Sequence, residues 1–513
     1  MMSLKARTIR GGLVKVSAQA AQSAVRLGSL MVLARLLEPE DFGVVGMVTA
    51  ITGVLGLFKE FGLSVATVQR ASITDDLVST LFWINILVGA ALVVVSIGLA
   101  PLVAAFYHEP RLLMVMIVLS SAFLVNAAGV QHTALLQRQM RFVALAAIEV
   151  VSLVVASTAS FVSASRGDGY WALVVWTVSV PITSTLLAWI VSGWIPRGPR
   201  LDTGMLASMR FGGMVTLNGV VIHAAYNLDK ILLGRYWGAP VVGSYGRAYQ
   251  LGTLPPDAIN TALGGVAFPV LSRLQNDPAR LRSYFLKGYS LVLGLTIPIT
   301  VACALFAGDL IPLVLGQKWD EAVPVYRRLA PAILVMAVIN PTGWLLVSLG
   351  MVARSLKMAL AIAPLVAAGC VFGLPYGPTG VAVGCSAAMT VWLVPHLLWC
   401  VRGTVVSFSD VALAIGRPLA GSIAAGAAAS LALWAVDGSS WPALPRLLLG
   451  CSVFGVVYLW ALLFVAGQKS FYLDVARTVI RREPEEVVES REEDNSDVAE
   501  RGARVRAARA PGW

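Results

Sequence analysis

The chain of 513 residues is 57% hydrophobic and only 13% charged, with a formal net charge of +11. A soluble domain carries about 25% charged residues, so the roughly three soluble domains that the length suggests are excluded: too few charges exist to cover their aqueous surface. The composition implies an all-α polytopic membrane protein, and its basic balance reads as a positive-inside bias rather than as a nucleic-acid surface.

A bilayer core about 30 Å thick needs roughly 20 apolar residues per helix. On that rule the predicted spans are residues 13–34, 43–67, 79–105, 111–131, 143–164, 169–193, 211–234, 241–271, 289–312, 324–349, 353–374, 377–400, 412–436 and 444–467, fourteen in all. A basic stretch, Met1 to Gly12, precedes the first, but no small-residue cleavage site follows and Lys15 and Arg26 lie inside it. It reads as an uncleaved span rather than a signal peptide. Pro255-Pro256 and the pair Pro331 and Pro341 mark the two spans where a break is expected. The linkers are short, so no soluble domain is inserted. The five cysteines (Cys303, Cys370, Cys385, Cys400 and Cys451) lie in apolar segments without metal-ligand spacing and read as small core residues.

Loop lysines and arginines favour a cytoplasmic N-terminus by about two to one. An even number of spans then places the tail inside as well. Glu38 to Asp41 and Lys318 to Glu321 fall outside, and the Arg197-Gly198-Pro199-Arg200 linker inside. The tail, Lys469 to Trp513, runs from an acidic stretch (Glu483 to Glu500) to an Arg-rich end with almost no large apolar residues. Such a segment is expected to be disordered.

A repeat is expected from two matching stretches. Leu33-Ala34-Arg35 leads through Glu38-Pro39 to Gly43, and Leu233-Gly234-Arg235 leads through Gly238-Ala239-Pro240 to Gly243. In each, an arginine precedes a loop glycine by eight residues, at the close of an odd-numbered span. An offset of six spans keeps both copies in one orientation, so they are parallel repeats about an axis along the membrane normal. The expected organisation is a six-helix lobe (1–192), a cytoplasmic linker (193–210), a second six-helix lobe (211–400), two additional helices (401–467) and the charged tail (468–513).

Charges inside a span are costly and face a protein interior or a water-filled cavity. Lys15, Gln19, Gln22 and Arg26 are spaced four, three and four, on one face of the first span. That stripe lines a cleft or caps a neighbouring helix. In the second span, Glu60 follows Lys59, which can neutralise it, so Glu60 is either structural or, like Asp229 in the seventh span, an ion-coupling candidate. Glu149 sits alone in the fifth span, as a proton-coupling carboxyl or as a group near the inner interface. The seventh span carries Asn218, His223, Asn227, Asp229 and Lys230, with Arg235 beyond. His223 is either a helix-packing residue or a proton switch. Asp229 and Lys230 are expected near the outer end. Each presumed lobe thus opens on a polar helix.

No phosphate-binding loop, GxGxxG, HExxH or GxSxG stands in the chain. Neither a cofactor nor a metal is expected, and without an ATP site any transport is driven by an ion gradient, of protons or sodium, or by the substrate gradient. A membrane-embedded sugar-chain polymerase or ligase needs a large external loop with catalytic residues. The longest external loop here, around Asp309 to Val323, argues against one.

The motifs themselves carry a family resemblance. They include Leu33-Ala34-Arg35-Leu36-Leu37 through Asp41-Phe42-Gly43, Glu60-Phe61-Gly62-Leu63-Ser64 through Gln69-Arg70, and Arg138-Gln139-Met140-Arg141-Phe142. Further on stand Asn227-Leu228-Asp229-Lys230 through Arg235, Gly243-Ser244-Tyr245 through Leu251, Pro269-Val270-Leu271-Ser272-Arg273-Leu274 and Gly316-Gln317-Lys318-Trp319. Spread in order over roughly residues 5–350, they resemble the polysaccharide-transporter (Wzx-like) flippases of the multidrug/oligosaccharidyl-lipid/polysaccharide superfamily, in the branch that serves lipopolysaccharide or exopolysaccharide biosynthesis. The last third matches only in hydropathy. The resemblance implies a transporter in the bacterial plasma (inner) membrane. It would move a polyprenyl-diphosphate-linked oligosaccharide from the cytoplasmic to the periplasmic leaflet, alongside other polysaccharide assembly proteins. A diphosphate head group needs cations along its path, for which Lys15 and Arg26 are the first candidates and Arg247 the third. A lipid II flippase or a drug antiporter of the same superfamily would share the lobes.

Overall fold

In a computed structural model, which describes residues 4–58, 67, 73–199, 205–436, 441–469 and 472, the chain is helical throughout and no β-strand occurs among the described residues. The helices are α1 (Leu4–Leu36), α2 (Pro39–Gly56), α3 (Asp75–Tyr107), α4 (Arg111–Arg138), α5 (Phe142–Ser165) and α6 (Trp171–Ser192). There follow α7 (Met205–Trp237), α8 (Ala239–Arg273), α9 (Pro278–Leu305), α10 (Ala307–Leu315), α11 (Ala322–Ile339), α12 (Thr342–Ser348), α13 (Val352–Gly373), α14 (Gly377–Val401), α15 (Phe408–Val436) and α16 (Ala443–Trp460). Apart from the short α10 and α12, each is long enough to serve as one of the fourteen predicted spans. Of the expected disordered tail, 468–513, Gln468, Lys469 and Tyr472 are described, Gln468 being buried and Tyr472 packed beside Tyr458; the rest lies outside the described residues.

Local chemistry starts these helices where the hydropathy rule could not see. Pro39 occupies the first turn of α2, and the Glu38 amide donates to Asp41 Oδ2 at 3.0 Å. Asp277 Oδ1 accepts from the Arg280 amide and begins α9 eleven residues before the predicted 289. That helix opens with a charged turn that no apolar window includes, and it ends at Leu305. The apolar stretch beyond belongs to α10. The expected break in the tenth span is present, as α11 stops at Ile339 and α12 begins at Thr342. No break occurs at Pro255-Pro256, since α8 runs unbroken through both and through Pro269. Proline releases the carbonyl four residues back, which membrane helices tolerate where neighbouring helices re-satisfy the freed group.

Nine segments among the described residues are both long and apolar enough to cross a membrane; α1, α2, α7 and α8 have the length but are too polar to be among them. The outer helices expose large apolar side chains such as Leu87, Ile190, Phe372 and Trp434, a surface suited to acyl chains. The chain is a multi-pass membrane protein. α3–α4–α6 and α5–α6 pack together in the first half, α11–α14 and α13–α14 in the second, and α15–α16 attach to α9. Tyr458 on α16 donates to the Gly294 carbonyl of α9 at 2.6 Å. The largest buried cluster joins Leu33, Phe42 and Val44 to Tyr245, Trp319 and Tyr326.

Candidate functional site: a cationic cleft beside the α2–α8 crossing

The two stretches singled out as a repeat meet each other. α2 packs on α8, and their crossing is reciprocal. A Cβ on Gly43 would lie 1.8 Å from the Ala239 carbonyl oxygen, and one on Gly243 would lie 1.8 Å from the Pro39 carbonyl oxygen. Positions 200 residues apart thus exchange the same contact. No side chain fits there, which is why glycine stands at both.

The paired arginines are reciprocal too. Arg35 Nη2 donates to the Leu313 carbonyl of α10 at 2.8 Å, on the connection between α9 and α11. Arg235 Nη1 lies 2.9 Å from His108 Nδ1, on the connection between α3 and α4. Around them one face of the cleft is closed. Lys318 Nζ pairs with Glu38 Oε1 at 2.9 Å, and Trp319, fully buried, donates from Nε1 to the Ala34 carbonyl at 2.8 Å. The Trp319 ring meets Phe42 edge-on with centroids 5.2 Å apart. Arg111 binds both Glu40 (2.5 Å) and Glu109 (2.8 Å), and its guanidinium holds the Glu109 carboxyl below the usual carboxylate range.

Below that face, three adjoining cavities follow one another. The first, about 310 Å³, lies between α1, α6 and α8 and is lined by Gln19, Arg26, Trp176, Arg247, Gln250 and Asp257 among others. The second, about 300 Å³, shares Phe42, Arg247, Gln250 and Thr253 with it and reaches Asn227 and Lys230. The third, about 360 Å³, continues from Lys230 and Tyr249 to His223 and Leu57. Each is at the lower end of the about 300–1,000 Å³ usual for small-molecule sites.

Three cations mark this path. Arg26 stands exposed in the first cavity with no hydrogen bond or ion pair among the described residues. Arg247 lies with Cζ 4.6 Å from the Phe42 ring centroid, and its buried Nε has no partner among the described residues. Lys230 Nζ donates to Asn227 Oδ1 at 2.8 Å and sits 4.5 Å from the Tyr249 ring centroid. Aromatic faces and a neutral amide hold the two inner cations in place, and neither has a carboxylate at salt-bridge distance among the described residues. The arrangement offers fixed positive charge, guanidinium forks and hydroxyl or amide groups to a polar anion.

The other predicted residues are placed variously. Gln19, Arg26 and Arg247 line one cavity. Gln22, on the same stripe, is buried against α5, where its Nε2 donates to Glu149 Oε2 at 2.5 Å; the two groups, expected to act separately, hold each other. His223 packs on α2, where a Cβ on Gly53 would fall 2.5 Å from its Nε2, an atom without a partner among the described residues. Asp229 is buried, and its Oδ1 accepts from the Lys230 amide at 2.7 Å. Lys230, expected near the outer end, borders two of the cavities. The Lys15 side chain and all of Glu60 lie outside the described residues. No cluster of His, Cys, Asp and Glu suited to a metal occurs among the described residues. Sequence reasoning missed Trp176, Gln250, Thr253 and Asp257. Asp257 beside two prolines inside a span was a visible signal; Trp176 gave none.

Comparison with known proteins agrees with this architecture. The model of the family described as "Polysaccharide biosynthesis protein" matches residues 32–324. The lipopolysaccharide biosynthesis protein WzxC of Escherichia coli (strain K12) is 29% identical over 364 residues, covering 69% of this chain and 73% of that protein. The teichuronic acid biosynthesis protein TuaB of Bacillus subtilis (strain 168) is 30% identical over 293 residues, covering 57% and 61%. Among solved structures, the lipid II flippase MurJ in an inward closed conformation superposes with a TM-score of 0.71 at 14% identity, over 91% of this chain and 100% of that one. An inward-facing multidrug resistance MATE transporter of the MOP superfamily gives 0.60 at 14% identity, over 78% and 98%. These likenesses show the fold, that of the MOP-superfamily transporters. With more than half of its length matched by the family model, the chain belongs to the polysaccharide biosynthesis protein family.

Proposed function

We propose that this protein is a flippase, not an enzyme, and that it carries a polyprenyl-diphosphate-linked oligosaccharide across the bacterial plasma membrane by alternating access. The observation that carries the reading is the row of cations, Arg26, Arg247 and Lys230, lining confluent cavities without carboxylate partners among the described residues. A diphosphate and its sugars cannot cross hydrocarbon unaided, whereas a polyprenyl tail need never leave it. Unpaired cations in the cleft replace the water that the head group gives up. Two lobes, 1–192 and 211–400, would rock about the Gly43–Gly243 crossing, with residues 401–467 appended. In this reading both termini are cytoplasmic, the Lys318–Glu38 face is periplasmic, and protons or sodium supply the drive. Relatives named for lipopolysaccharide and teichuronic acid biosynthesis support a polysaccharide precursor over a drug.

The test is flipping in reconstituted vesicles, with polyprenyl-diphosphate-linked oligosaccharide and lipid II as alternative cargoes and an impermeant glycosidase reporting head-group accessibility. Faster exposure of the oligosaccharide lipid than of lipid II is expected. Preference for lipid II would move the assignment to a lipid II flippase, and acceleration of neither would overturn it.

A further inference from the structure

The cavity between α1, α6 and α8 holds three buried polar atoms with no partner among the described residues: Trp176 Nε1, Arg247 Nε and Gln250 Oε1. Buried donors and acceptors are nearly always paired, because one left unmade carries its full desolvation cost. Three such atoms on the walls of one cavity point to a ligand that completes them. Two are donors and one is an acceptor, so a bare anion, which only accepts, cannot satisfy the set.

α8 sharpens this. Arg247, Gln250, Thr253, Asp257 and Thr261 follow at intervals of three or four and all line the cavity, so they form one polar stripe. It begins with a cation and reaches a carboxylate ten residues later, about 15 Å along the axis at 1.5 Å per residue. A diphosphate held at Arg26 and Arg247 is too short to fill that length, and Asp257 would repel it. What lies beyond the phosphates must be uncharged, rich in hydroxyl donors, and able to accept from an indole N–H.

We propose that Gln250 and Asp257 on α8, facing Trp176 on α6, form a subsite for the first sugar of the lipid-linked head group. It is separate from the cations that take the diphosphate, and it rests on the flippase reading above. The sugar hydroxyls donate to Gln250 Oε1 and to the Asp257 carboxylate, while Trp176 Nε1 donates to a hydroxyl or ring oxygen. At about 310 Å³ the cavity suits a sugar and its phosphates rather than a whole repeat unit, so later sugars are read weakly or not at all.

Binding of soluble analogues to the full-length protein in nanodiscs tests this. The probes are farnesyl diphosphate alone and farnesyl diphosphate carrying glucose, galactose or N-acetylglucosamine. At least one sugar-bearing probe should bind about tenfold or more tighter than farnesyl diphosphate. Gln250→Met and Trp176→Phe should each shrink that difference about three- to tenfold, as for a lost hydrogen bond, with an unaltered elution profile and melting curve reporting that the variants are folded. Equal binding of all four probes by the unaltered protein overturns the subsite while leaving the flippase reading standing. Binding of none overturns both. Parallel weakening of every probe in the variants makes Trp176 and Gln250 supports of the fold and overturns their role as sugar readers.

Discussion

Two levels of the same cleft treat charge in opposite ways. At the closed face, Lys318 has Glu38, Arg111 has Glu40 and Glu109, Arg235 has His108 and Arg35 has a carbonyl. A few turns deeper, Arg247 rests on a phenyl ring with an unpartnered Nε, Arg26 projects into open space and Lys230 holds only a neutral amide. Paired groups are satisfied by the conformation that the protein is in, so they hold that conformation. Unpaired ones leave work for a ligand. Substitutions at the two levels should therefore fail differently, the deep ones in transport and the superficial ones in conformational equilibrium.

The largest effect is expected at the unpaired cations. Arg247→Ala and Arg26→Ala should each lower flipping at least tenfold at near-normal protein abundance, because a charge-assisted hydrogen bond to phosphate is worth about 1.5–3 kcal/mol and neither guanidinium holds another part of the fold by an ion pair among the described residues. Arg26→Lys and Arg247→Lys should recover part, since an ammonium cannot make the bidentate contact. Abundance and activity falling together would erase the contrast between the two levels.

Energy coupling comes next. Glu149→Gln keeps an oxygen to accept from Gln22 Nε2 and removes only the charge, which makes it a clean probe. If Glu149 carries the proton, a group whose proton affinity differs between the two conformations, this variant should flip at a rate independent of an imposed pH gradient, and His223→Ala should matter less. Persistent pH-driven flipping would take Glu149 out of the mechanism; a sodium requirement would take out the proton.

At the closed face, Trp319→Ala removes a fully buried ring, its hydrogen bond to Ala34 and its edge contact with Phe42. Loss of a buried aromatic costs about 3–5 kcal/mol, here taken from the closed state. A cysteine placed at Leu30, buried at the wall of the first cavity, should then react many-fold faster with an impermeant thiol reagent in intact cells. No change in rate would mean that this face is held elsewhere.

Smaller effects follow at the crossing. Gly43→Ala and Gly243→Ala should lower the melting temperature by similar amounts, each forcing the backbones apart at about 1–3 kcal/mol. Gly28→Ala, whose Cβ would meet nothing within 4 Å, should be neutral or slightly stabilising. Unequal losses at 43 and 243 would break the reciprocity. The smallest effect belongs to Lys318→Gln, because its pair with Glu38 is largely exposed and such pairs contribute about 0–1 kcal/mol. Melting curves of the purified protein separate this variant from the glycine variants.

How much was legible beforehand differs by kind of residue. Arg35 and Arg235, with Gly43 and Gly243 eight residues on, were visible because a duplicated contact needs duplicated residues. Arg26 and Gln19 stood out because polar groups at intervals of three and four in an apolar helix have few physical explanations. Gln22 shared that spacing, yet it turns to Glu149 on α5, and nothing in the spacing separates it from its neighbours on the stripe.

The sequence by itself determined the membrane, the helical class and the break between α11 and α12, since these depend on hydropathy and prolines acting within a few residues; the early start of α9 and the unbroken course of α8 through Pro255-Pro256 were not legible in it. It also showed polar side chains inside the spans that became α1 and α7. Only the tertiary structure decided which polar groups are partnered. Gln22 with Glu149 is a contact across 127 residues and Lys318 with Glu38 one across 280, and the cavity that gathers Trp176 with Gln250 and Asp257 exists only where α6 and α8 come together. Whether a buried charge is neutralised is a property of the space around it, and in this chain that space is assembled from segments hundreds of residues apart.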